Sequence, residues 1–181
     1  MKRILLTLAV FWLGADAFAQ GTLIFANLAP GVNAPVTNEL TGARLVTFNF
    51  LADLYFSNTT NAPTDSLTAA GFNVPFSTIT SGGSGGYFLG GTRTVSGAAG
   101  AIEAQVRIWD SQFGSTYEAA RAAGGFSRFS SPIVMALAIP PAPPPALVGL
   151  TFVPEPSSFA LAALAVVLVL HRKSRLAGPR N

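Results

Sequence analysis

From Val46 to Phe56 every second residue is apolar. Val46, Phe48, Phe50, Ala52, Leu54 and Phe56 alternate with Thr47, Asn49, Leu51, Asp53 and Tyr55. Successive side chains of a strand point to opposite faces, so a period of two builds one aromatic face that has to lie on a core. Ile102, Ala104, Val106 and Ile108 repeat the pattern against Glu103, Gln105, Arg107 and Trp109. Ile133, Met135, Leu137 and Ile139 form a third apolar row, and Thr22 to Asn27, Phe72 to Ile79 and Tyr87 to Val95 are further, weaker strand candidates. Turn formers separate them, in Asn58-Thr59-Thr60-Asn61-Ala62-Pro63 and Ser81-Gly82-Gly83-Ser84-Gly85-Gly86. Short strands with frequent turns predict an all-β fold, an antiparallel β-sandwich of Ig-like or jelly-roll-like kind.

One short connector helix interrupts the strands. Ser115 and Glu118 have capping-box spacing, Thr116 to Ala123 is rich in alanine, and Gly124 fits the position just past a helix end. So short a helix is unstable alone and must pack on the sheet, with Tyr117 as the obvious anchor. After Ile139 comes Pro140-Pro141-Ala142-Pro143-Pro144-Pro145, which donates poorly to any ladder and favours polyproline II. The expectation is a β domain over residues 20–139 and a stiff spacer over 140–152, about 19 Å long across the proline run at 3.1 Å per residue.

The two ends have a different character. Lys2 and Arg3 precede an apolar stretch from Ile4 to Leu13, and Ala17-Phe18-Ala19 offers small residues at Ala17 and Ala19 for cleavage before Gln20. Residues 1–19 therefore read as a secretory signal peptide with a signal helix, and Ala15-Asp16-Ala17 offers a competing cleavage site. At the other end, Val153-Pro154-Glu155-Pro156 leads into an uncharged run, Ser157 to Leu170, followed by His171-Arg172-Lys173-Ser174-Arg175. As a helix that run is about 21 Å long, short against a hydrocarbon core of about 30 Å. Arg172, Lys173 and Arg175 extend its reach by snorkelling and favour a cytoplasmic C-terminus as a stop-transfer cluster.

Residues 153–181, with the Pro154-Glu155-Pro156 motif, the short apolar transmembrane helix and the terminal basic cluster, resemble the PEP-CTERM sorting signal of Gram-negative bacteria that have exopolysaccharide systems. The resemblance is confined to that C-terminal segment. It implies recognition at Pro154, Glu155 and Pro156 by exosortase, a membrane-embedded protease-transpeptidase, with the apolar tail left in the membrane. It also implies a protein exported across the inner membrane, transiently anchored, and then delivered to the envelope or extracellular matrix in association with exopolysaccharide. The motif makes physical sense as a cleavage site, because two prolines flanking one residue hold the backbone extended.

The formal charge of +3 belongs to these ends. Between residues 20 and 153 stand Arg44, Arg93, Arg107, Arg121 and Arg128 against Glu39, Asp53, Asp65, Glu103, Asp110 and Glu118, a slight acidic excess. A nucleic-acid partner is not expected, since phosphate binding needs a concentrated basic surface. The same region has no Cys, His or Lys, so it has no disulfide and must be held by its core. A chain of that length buries about two-thirds of its unfolded surface, which suffices.

The missing residue types also exclude Ser-His-Asp and Cys-His catalysis and His- or Cys-based zinc sites from residues 20–153. No cofactor or metal is expected. Asp53, Asn58, Asn61 and Asp65 are close enough in sequence to raise calcium, but they lack EF-hand spacing and are ordinary turn formers. The run from Gly82 to Gly91 lacks the Lys-Ser/Thr ending of a P-loop and reads as a hairpin turn. Trp109 is a core residue or, if exposed, a platform for a sugar ring; Tyr55 and Tyr87 raise the same idea of weak carbohydrate adhesion. The expected function is that of a non-enzymatic exported protein. The alternatives are a carboxylate-dependent glycan hydrolase using two of the acids, and a structural protein anchored by an unprocessed tail.

Overall fold

A computed structural model describes residues 20–38, 41–78 and 85–153. The helices expected over 1–19 and Ser157–Leu170 lie outside the described residues. The described chain is built mainly of antiparallel strands: β1 (Gly21–Ala26), β2 (Leu28–Ala29), β3 (Val32–Asn33), β4 (Phe50–Ser57), β5 (Thr68–Ala69), β6 (Val74–Pro75), β7 (Leu89–Val95), β8 (Ala101–Asp110), β9 (Ser127–Ser130), β10 (Ile133–Ala136) and β11 (Phe152–Val153), with one helix, α1 (Tyr117–Ala122). The main sheet runs β11-β9-β8-β4-β5, with β10 also on β8 and β6 also on β4. β1 and β7 form a separate ladder, and β2 and β3 a small hairpin.

The alternation seen in the sequence fixes which face meets which. β4 and β8 pair over their whole shared length, with Ala52 opposite Ile108, Leu54 opposite Val106 and Phe56 opposite Ala104. That face belongs to one core cluster with Leu23 and Phe25 of β1 and with Phe88 and Val95 from the β7 side. A continuous run of rings, Phe72, Phe25, Phe88, Phe76, Phe50 and Phe126, joins its layers, with neighbouring centroids 4.9 to 6.4 Å apart. Each such pair adds about 0.5–1.5 kcal/mol beyond the area it buries.

The strand expected from Val46 begins only at Phe50. Thr47 turns the chain first, accepting from Phe50 N through its carbonyl and from Asn49 N through Oγ1, so Phe48 is left 66% exposed. Nor is the polar face of the sheet open to solvent. Asp53, Tyr55, Glu103, Gln105 and Trp109 are all buried, because α1 and residues 57–72 cover them. Of the weaker candidates, the segment from Phe72 supplies, among the described residues, β6 and a bridge from Phe76 to Phe88, and the next starts at Leu89.

α1 is capped by Thr116, whose Oγ1 accepts from Ala119 N, in place of the expected Ser115–Glu118 box. Glu118 faces the sheet, as described below. The helix ends as expected. Gly124 adopts φ +73°, and Gly124 N and Gly125 N donate to Arg121 O and Ala120 O, closing a Schellman turn.

The expected spacer is the largest correction. After β10 the chain crosses to the free edge of β1, where Thr22 N and Ala138 N donate to each other's carbonyls at 2.7 and 3.0 Å and Ile139 is left exposed. Ile24 N then donates to Pro145 O, Ala146 bridges Ile24, Leu147 is fully buried, and Phe152 and Val153 pair with Ser130 and Phe129. Proline cannot donate, but its carbonyl accepts, so a proline-rich segment can close a strand edge that needs only acceptors. Local preference for an extended spacer gives way to burial of Leu147 and Leu150.

Candidate functional site

The outer face of β4 and β8 carries a cleft of about 770 Å³, walled by α1, by Thr64 and Asp65 of a 3-10 turn, and by Leu67 and Phe129. Arg107 lines it. Its Nη1 donates to Glu118 Oε1 at 2.9 Å, its Nε to Gln105 Oε1 at 2.9 Å, and its Nη2 to Thr64 O. The guanidinium lies 4.0 Å from the Tyr55 ring centroid and 5.2 Å from that of Tyr117. Strand register explains the convergence. Tyr55 sits opposite Gln105 across the β4–β8 ladder, Arg107 follows Gln105 on the same face, and α1 lowers Tyr117 and Glu118 onto them.

Glu118 has both oxygens engaged, Oε1 by Arg107 and Oε2 by the Tyr55 hydroxyl at 3.0 Å. Burial pushes the Tyr55 phenol well above its ordinary range, and the hydrogen bond to Glu118 and that residue's charge act in the same direction. Beneath the cleft, Trp109 is fully buried and its indole N–H has no hydrogen-bond partner among the described residues. On the same sheet face, opposite Arg107 across the ladder, Asp53 accepts from Leu54 N at 2.8 Å, Gly71 N at 3.0 Å and Phe72 N at 2.8 Å. Burial raises the Asp53 carboxyl above the usual range, and these backbone donors pull it back only in part.

The four residues considered for calcium are not brought together. Asp53 holds the 71–72 backbone, Asn58 donates to Gly97 O, Asn61 N donates to Glu103, and Asp65 lines the cleft. No group of three or more metal-ligating acids occurs among the described residues. The aromatic residues considered for sugar stacking, Tyr55, Tyr87 and Trp109, are all buried, so none presents a ring face to a ligand. Asp110 closes the turn after β8, accepting from Gln112 N. Of the acids, Asp65 and Glu118 share the cleft.

Ala17, Ala19, Pro154, Glu155, Pro156, Arg172, Lys173 and Arg175 all lie outside the described residues. The chain reaches the motif directly from β11, whose Val153 pairs with Phe129. The Arg107 cluster was not anticipated from the sequence, although an arginine between Gln105 and Trp109 on the polar side of a strand was its trace. Asn27 was missed as well. It is fully buried and holds three segments, donating to Ala34 O and Gly86 O and accepting from Phe88 N, each at 2.8 Å. Compared with protein-family models, curated proteins and solved structures, the chain matches none.

Proposed function

We propose that the protein is a non-enzymatic exported protein of the bacterial envelope or extracellular matrix, sorted by the PEP-CTERM-like segment at its C-terminus. In this reading the signal peptide is removed after Ala19 and the run Ser157 to Leu170 holds the chain in the membrane. Arg172, Lys173 and Arg175 stay in the cytoplasm, and an exosortase-type protease acts at Pro154-Glu155-Pro156. One observation supports it above the rest: Pro154-Glu155-Pro156, the uncharged run Ser157 to Leu170 and the basic cluster follow in that order directly after β11, whose Phe152 and Val153 pair with Ser130 and Phe129. A β-sandwich, Ig-like or jelly-roll-like, is the finer fold reading, supported by two sheets that share one core.

Association with exopolysaccharide follows from the sorting reading and not from Tyr55, Tyr87 or Trp109, which are internal. The glycan-hydrolase alternative has one observation in its favour, Asp65 and Glu118 in one cleft, and one against it, the engagement of both Glu118 oxygens. Cell fractionation tests the main reading. In a host that carries an exosortase, Pro154→Ala with Glu155→Ala is expected to leave the chain in the inner membrane while the unaltered chain moves outward. Equal distribution of the two would remove the reading.

A further inference from the structure

The two exposed aromatic side chains among the described residues belong to two turns at one end of the main sheet. Phe48, 66% exposed, is in the turn that leads into β4; Phe113, 49% exposed, is in the turn that leaves β8. Ser111 N donates to Asn49 O at 2.8 Å and ties the turns together. Phe50 is opposite Asp110, so both turns cap the same end of the β4–β8 ladder.

The chain leaves the fold toward that end. β11 runs antiparallel to β9, with Phe152 opposite Ser130 and Val153 opposite Phe129, so its direction is toward Ser127. Ser127 is opposite Trp109, and Asp110 N donates to Phe126 O, which places the start of β9 beside the two turns. From the level of Val153, where Phe129 meets Arg107, to the level of Asp110 is about 10 Å along the sheet. Residues 154–158 separate Val153 from the apolar run that starts at Phe159, and fully extended they span about 17 Å.

The geometry points to a membrane-apposed end: before processing, the Phe48 and Phe113 turns rest on the lipid surface into which the run from Phe159 inserts. This rests on the tail reading above. The occupant is lipid because the tether is too short to hold this end far from the bilayer, and because exposed aromatic groups gain by entering the interface. The body is then seated with the sheet end down and the junction at Pro154-Glu155-Pro156 at the level of the headgroups.

The chain contains no cysteine, so single cysteines can report position. Phe48→Cys, Phe113→Cys, Val134→Cys and Ala162→Cys are labelled with an environment-sensitive dye in the full chain. The chain is reconstituted in vesicles of phosphatidylethanolamine and phosphatidylglycerol that carry a lipid-bound quencher. Val134 is exposed on β10, which pairs with the opposite end of β8. The first three sites are exposed, so the changes are tolerated to within about 0.5 kcal/mol.

The expected result is strong quenching at residue 162 and several-fold more quenching at 48 and 113 than at 134. Quenching at 162 with 48 and 113 no different from 134 overturns the seating and leaves the tail reading intact. No quenching at 162 removes the tail reading and the seating with it. A blue shift at 48 and 113 that needs no lipid and grows with protein concentration assigns this end to a second copy and also overturns the proposal.

Discussion

Arg107 stacks on Tyr55, its guanidinium carbon 4.0 Å from the ring centroid, and the two side chains donate to opposite oxygens of Glu118. This joint fastens α1 to the outer face of the sheet. Its strength lies in the stacking and the enclosed hydrogen bonds more than in the ion pair, because the Arg107 side chain is 12% exposed whereas that of Glu118 is 58% exposed.

Arg107→Ala is therefore expected to cost about 2–3 kcal/mol, since it leaves Gln105 Oε1 and Thr64 O without their donor and uncovers two rings. Glu118→Gln is expected to cost less than about 1 kcal/mol. Urea unfolding of residues 20–153 at unchanged m-value measures both. Equal costs would mean that the ion pair dominates.

Asp53 gives a pH signature. Its folded carboxyl is raised above the ordinary 3.8, so the folded state keeps the proton more readily than the unfolded state does. The contribution to stability is fully present below 3.8 and is lost as pH rises through the folded value. The difference in melting temperature between the natural protein and Asp53→Asn should shrink over that interval. At neutral pH the variant should still be less stable, by about 1–3 kcal/mol, because one amide oxygen replaces two acceptors facing Leu54, Gly71 and Phe72 N–H groups. A pH-independent difference would mean that Asp53 does not titrate as described.

Residues 145–153 behave as part of the core. Leu147→Ala is expected to cost about 2–5 kcal/mol, as for a fully buried leucine. Ending the chain at Ile139 should remove the cooperative transition, because the edge of β1 and the whole of β11 are lost. A chain of residues 20–139 with unchanged unfolding would restore the spacer interpretation.

These corrections show what a sequence pattern carries. The alternation at Ala52, Leu54 and Phe56 and at Ile102 to Ile108 marked the inner face of β4 and β8, because that face is a property of each strand alone. The cover on the opposite face was not legible, since nothing in the strands says that α1 and residues 57–72 will close over Asp53, Gln105 and Trp109. Prolines 140–145 misled in the same way: their local preference was plain, while the buried Leu147 and Leu150 that draw the segment back depend on distant partners. The Arg107 cluster needed three-dimensional register, with Tyr55, Gln105, Tyr117 and Glu118 meeting from three elements. The helix cap was missed by one residue, Thr116 for Ser115, which freed Glu118 to meet Arg107.

The account rests most on what becomes of the C-terminus. Intact-mass and terminal-peptide mass spectrometry of the protein recovered from the envelope or medium of an exosortase-bearing host reads it directly. The expected species begins at Gln20 and ends near Pro156, without the run Phe159 to Leu170 or the basic cluster, and it accumulates uncut when the protease is deleted. Recovery of chains that still end at Asn181, whether or not the protease is present, would contradict sorting by processing and leave a simple anchored protein in its place.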